Sequence, residues 1–180
     1  MRTTHHIFFE LIASVCAAVL ALAYAPPTSA QTVSEASVVV IGPLSVVKID
    51  DLEFGNIIAG PSSGTVSINT TNGNRTSTGG VLLPSGTFSR ADFIIYGELN
   101  QIVEVSIPGN ITLTHSNGSD TMSVSQMAIG NGNRNFGTFV RGRLSRDGIF
   151  NLTVGARLNV GANQTGGGYS GSFTMTVDYQ

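Results

Sequence analysis

The chain has 180 residues, 9 basic and 11 acidic, for a formal charge of −2, and only 11% of it is charged. So sparse and slightly negative a balance excludes the dense basic face that nucleic acid requires and a polybasic membrane-surface role. Gly, Ser, Thr and Asn carry the polarity instead, Lys48 is the only lysine, and tryptophan, the usual carbohydrate-stacking platform, is absent.

The first element is an apolar run from Ile7 to Leu22, preceded by Arg2, His5 and His6 and interrupted only by Glu10 and Ser14. A bilayer-spanning helix needs roughly 20 apolar residues, so the run is short for an anchor. Pro26 and Pro27 stop any helix there. Thr28-Ser29-Ala30 has the small-residue character of a cleavage site. Residues 1–30 therefore read as a cleaved secretory signal, with Gln31 the first mature residue and an N-terminal membrane anchor as the competing reading. Cys16, the single cysteine, falls inside the signal, and Val15 before it is not the small residue a lipoprotein requires. The expected mature chain is exported and disulfide-free, without a transmembrane segment. It passes through the periplasm to the cell surface, a fimbrium or the medium. Residues 31–180 have the size of one domain with a real core.

No mature window carries apolar residues at helical spacing; short alternating runs punctuated by Gly, Asn, Pro and Ser predict an all-β, mainly antiparallel, single immunoglobulin-like β-sandwich. Residues 36–49 come first, broken by Gly42-Pro43, because proline cannot donate to a ladder. In this segment Ala36, Val38 and Val40 alternate with Ser37, Val39 and Ile41. Strands over 52–58 and 65–68 follow, then a polar loop over 69–80. Short strands are expected at 81–83, 91–97, 102–107, 111–113 and 122–124, with a loop at 131–135. The strand from Phe139 ends in Arg146-Asp147-Gly148, a strong hairpin turn. In the next, Phe150, Leu152, Val154, Ala156, Leu158 and Val160 share one face. After Gly166-Gly167-Gly168, one continuous terminal strand places Tyr169, Phe173, Met175, Val177 and Tyr179 together.

Catalytic equipment does not assemble from these residues. His115 is the only histidine outside the first thirty residues, and it lies among Thr, Ser and Asn as a polar turn residue, so triad and zinc chemistry lack their parts. Asp50, Asp51 and Glu53 are the densest acids but lack EF-hand spacing. Arg134, Arg141, Arg143 and Arg146 read either as an anion contact or as a solvent face. No catalytic residue, metal ligand or cofactor motif is expected. Six Asn-x-Ser/Thr triplets occur, at a frequency that follows from the composition.

Three blocks carry a resemblance. They are Leu52-Glu53-Phe54-Gly55 with Ile57, Gly60 and Gly64-Thr65-Val66; Gly79-Gly80-Val81; and Val154-Gly155-Ala156 through Gly168-Tyr169-Ser170-Gly171 to Tyr179. Together they resemble the secreted bacterial family named domain of unknown function 4402, and are similar to chaperone–usher pilins of the archaic, spore-coat-U-like kind. The cysteine pair that many such pilins carry is missing. The resemblance implies a non-enzymatic fimbrial subunit, an incomplete sandwich assembling into fibres by β-strand addition. Its partners would be a periplasmic chaperone and an outer-membrane usher. Residues 31–43 would then be a donor segment presenting Ala36, Val38 and Val40, and Tyr169, Phe173, Met175, Val177 and Tyr179 would lie at the receiving side. The alternative is a self-contained secreted sandwich of the surface or biofilm matrix, with an adhesive or binding role.

Overall fold

The computed structural model describes residues 37–38 and 40–180 of the chain. The predicted signal, Ala36 and Val39 lie outside the described residues. Val40–Gln180 forms a compact unit.

The unit is an all-β sandwich. Its strands are β1 (Ser45–Asp50), β2 (Ile58–Ile68), β3 (Arg75–Leu82), β4 (Ala91–Tyr96), β5 (Ile102–Ser106) and β6 (Ile111–His115). They continue with β7 (Thr121–Gly130), β8 (Asn135–Gly137), β9 (Phe139–Arg143), β10 (Ile149–Val160), β11 (Tyr169–Ser170) and β12 (Thr176–Tyr179). The large sheet runs β1-β4-β10-β7-β6-β11, with the β2–β3 hairpin joined to β10 and β8 to β7. The small sheet is β12-β5-β9, and all pairings are antiparallel.

Strand β10 organises the core because its length lets it serve three neighbours. Its first half pairs with β4, and its second half lies between β7 and β2. Leu152, Val154, Ala156, Leu158 and Val160 are buried on the face expected. The opposite face is not wholly solvated: Thr153 is buried beneath Thr70, its hydroxyl donating to the Thr70 carbonyl at 2.6 Å. Val103, Val105 and Val140 of the small sheet close the core from the other side. The Asp147-Gly148 turn forms as predicted, with Gly148 at φ 71° where a side chain would be strained.

Four expectations need correction. Residues 75–80 belong to strand β3 rather than a loop; the strand is polar, and Thr65 and Thr78 join hydroxyls at 2.8 Å across it. Residues 52–57 are irregular, apart from an isolated bridge between Glu53 and Ser89. Asn135 begins a short strand, not a loop end. The terminal strand is not continuous. It pairs with β6 at 169–170 and with β5 at 176–179, and between them residues 171–175 cross from one sheet to the other. The ladder with β5 ends at Ser106–Thr176, because the next hydrogen-bonding pair in register would be Thr174 with Pro108, which has no N–H.

Candidate functional site

The crossing leaves the sandwich incompletely covered. The small sheet meets the end of the large sheet that carries Phe150, against whose ring Gly142 of β9 is packed. Beyond it, Phe93, Ile111, Leu113, Met122, Val124, Leu158 and Val160 form the floor of an apolar groove of about 950 Å³. One wall is the irregular segment 52–57 with the start of β2; the other is the chain from Gln164 to Phe173. Lys48, Asp51, Glu53 and Gln164 make a polar rim. Phe173 leans into the groove edge-on to Phe93, their ring centroids 6.2 Å apart.

Both walls are held by polar side chains, the half-buried Arg75 and the buried His115. Arg75 donates to the carbonyls of Phe54 (2.9 Å), Asn56 (3.2 Å) and Pro84 (2.9 Å), and its guanidinium lies 4.5 Å from the centre of the Phe88 ring. This clamp gives the Leu52-Glu53-Phe54-Gly55 block its shape. Gly55 has φ 70°, and a Cβ there would strike the Thr87 carbonyl and the Arg75 guanidinium. The second wall rests on His115, which is 9% exposed rather than a surface turn residue. Its Nδ1 accepts the Asn117 amide at 3.0 Å, so Nε2 carries the proton and donates to the Gly166 carbonyl at 3.1 Å. Tyr169 packs edge-on to the imidazole at 4.7 Å and donates to the Thr165 carbonyl at 2.9 Å. A Cβ on Gly167, at φ 144°, would collide with the His115 ring. Gly167→Ala should therefore displace the wall and lower the unfolding midpoint by about 1–3 kcal/mol of backbone strain; an unchanged urea midpoint would refute the clamp.

In the turn after His115, hydrogen bonds from Asn117 and then Thr165 hold the Asp120 carboxyl below the usual carboxylate range. A lowered carboxyl supports the turn above the ordinary carboxylate pKa and withdraws that support as pH falls through the lowered value.

The sequence-predicted residues sort as follows. Tyr169, Phe173, Met175, Val177 and Tyr179 are all half-buried on the side facing the core, while Ser170, Ser172, Thr174, Thr176 and Asp178 are exposed. Val38 and Val40 are 86% and 85% exposed. Of the arginines, Arg141 pairs with Glu104 and Arg143 donates to the Asn100 carbonyl at 2.6 Å, as a solvent face would. Asp51 pairs with Lys48 at 2.6 Å. Among the described residues no three His, Cys, Asp or Glu side chains are grouped to hold a metal, and no helix is long and apolar enough to cross a membrane.

Sequence reasoning missed Arg75, whose partners lie 9 to 21 residues away. The two walls coincide with two of the sequence blocks that carry the resemblance, and a family model matches residues 44–179. The chain belongs to the family described as Domain of unknown function (DUF4402). The DUF4402 match begins at Leu44, so it takes in both walls and the floor of the groove and stops short of the 31–43 segment. No curated protein and no solved structure matches the chain.

Proposed function

We propose that this protein is an exported, non-enzymatic fibre subunit whose groove receives the N-terminal segment of a second copy as an added β-strand. One observation carries the reading: beside an open apolar groove, residues 171–175 run as a bridge between sheets and enter no backbone ladder among the described residues. Such an edge invites a strand from another chain. Even-numbered residues of β12 face β5, since Gln180 continues that register by donating to the Ile102 carbonyl at 3.0 Å. The alternate amides and carbonyls of β12 then point to the free edge.

The N-terminal segment is the occupant. Residues 31–41 hold Ala36, Val38 and Val40 in alternation, and Val38 and Val40 are solvent-exposed, as a donor without its acceptor is. Until assembly, a periplasmic chaperone would cover the groove, and an outer-membrane usher would export the fibre. The signal-like residues 1–30 support export.

Val38→Asp tests the reading. Val38 lies outside the compact unit, so the variant should keep the wild-type circular dichroism spectrum and remain monomeric by size-exclusion chromatography while the wild type polymerises. An unfolded variant would instead indicate a self-contained sandwich in which this segment is an internal first strand, because an aspartate there would be buried unpaired.

A further inference from the structure

Three Asn-Gly pairs stand in the chain, Asn72-Gly73, Asn117-Gly118 and Asn131-Gly132. Each lies in a turn between two strands with its asparagine exposed. Their local geometry is alike. The glycines have φ of 72°, 82° and 83°. Each asparagine folds forward over its turn, with Oδ1 accepting main-chain amides. Asn72 accepts from Asn74 at 3.0 Å, Asn117 from Ser119 at 3.0 Å and Asp120 at 3.2 Å, and Asn131 from Asn133 at 3.2 Å and Arg134 at 3.1 Å.

The pairs differ in the glycine amide. Gly73 donates to the Asn69 carbonyl at 2.8 Å, and Gly118 donates to the His115 carbonyl at 2.8 Å. The Gly132 amide donates to no group among the described residues. Nothing beyond its chain neighbours lies within 4 Å of where a Cβ on Gly132 would stand.

We propose that Asn131 is a site of spontaneous deamidation, and that the fold protects Asn72 and Asn117 from the same reaction. The Gly132 nitrogen attacks Asn131 Cγ and gives up its proton. The Cγ–Nδ2 bond breaks, and Nδ2 leaves as ammonia. The ring product is a succinimide, which water opens. Hydrolysis at Cγ leaves aspartate; hydrolysis at the main-chain carbonyl leaves isoaspartate.

The attack puts negative charge on Oδ1. The Asn133 and Arg134 amides already point at that atom and stabilise the charge as an oxyanion hole does. Asn117 has the same support, so the electrophile does not decide between the sites. The nucleophile does. An amide that donates to a carbonyl must give up that bond before its nitrogen can turn on Cγ, and at Gly73 and Gly118 the bond also closes the turn. Asn117 is held once more, because its Nδ2, the leaving group, donates to Asp120 Oδ2 at 2.7 Å.

Conversion alters the joint between β7 and β8 and is independent of strand addition. It adds one negative charge to a chain of net charge −2. Isoaspartate also lengthens the main chain by one carbon directly after Gly130, which pairs with Asn135.

The purified protein is aged at mildly alkaline pH, with a parallel sample in urea, and both are digested and sequenced by tandem mass spectrometry. In the folded sample Asn131 should convert at least about fivefold faster than Asn72 or Asn117, the rate equivalent of one net hydrogen bond of about 1 kcal/mol. In urea the three rates should converge, because the turns are gone. Asn72 or Asn117 keeping pace with Asn131 in the folded protein overturns the proposal. So does an Asn131 that converts only in urea. An order that survives unchanged in urea overturns it as well, since the difference would then lie in the neighbouring residues and not in the fold.

Discussion

Deleting Thr174–Gln180 should abolish the periplasmic accumulation that the proposed export implies. The deletion removes strand β12 and with it Met175, Val177 and Tyr179, all packed against the core. It also uncovers Val103 and Val105, which are fully buried under Tyr179 and Val177. Fully burying an aliphatic side chain is worth about 1.5–3 kcal/mol; two such side chains lose their cover and three half-buried ones are removed. The expected loss is comparable with the 5–15 kcal/mol that separates a typical domain from its unfolded state. Strand β5 would also become an open edge of a two-stranded sheet, a marginal unit in water. Immunoblots of periplasmic extracts check this, and wild-type levels of the truncated chain would show that β12 is dispensable. A truncated chain that folds when refolded in isolation but fails to accumulate in cells would assign the strand to chaperone capture instead.

The contribution of β12 was legible in the sequence because it depends on alternation, a local property. The inner face of β10 and the Asp147-Gly148 turn were legible for the same reason. The parts that escaped depend on partners distant in the chain. Residues 75–80 read as a loop because they have no apolar member to alternate; what makes them a strand is the pairing of Thr78 with Thr65 and the backbone ladder to β2. The break at 171–175 follows from Pro108, more than sixty residues earlier, and nothing in Gly171-Ser172-Phe173-Thr174-Met175 announces it. His115 looked like a turn residue because its neighbours are polar, yet Gly166 and Tyr169, some fifty residues later in the chain, enclose it. The candidate site was thus half legible. The core-facing side of residues 169–179 could be read from periodicity, but not the walls of the groove or the opening between them, which arise where the chain leaves one sheet for the other.

Replacing Arg75 by methionine should cost about 3–5 kcal/mol, among the largest effects of any single substitution that leaves the apolar core intact. A hydrogen bond to a charged group contributes roughly 1.5–3 kcal/mol, and Arg75 makes three to main-chain carbonyls plus a contact over the Phe88 ring worth up to about 2 kcal/mol. These terms overlap, because the same carbonyls regain water when the arginine is lost, so the sum is an upper bound. Methionine keeps the length and apolar stem and removes only the fork. Lysine would restore one contact at a time, because its ammonium cannot bridge Phe54 and Pro84 with separate planar nitrogens. The order of urea midpoints should therefore be wild type, Arg75→Lys, Arg75→Met. The clamp holds the groove wall rather than the sheet, so hydrogen exchange should quicken first at Phe54 to Ile57 and leave the amides of β10 protected. A midpoint within about 1 kcal/mol of wild type for Arg75→Met, or exchange rising equally across β10, would remove Arg75 from its place as the support of the groove wall.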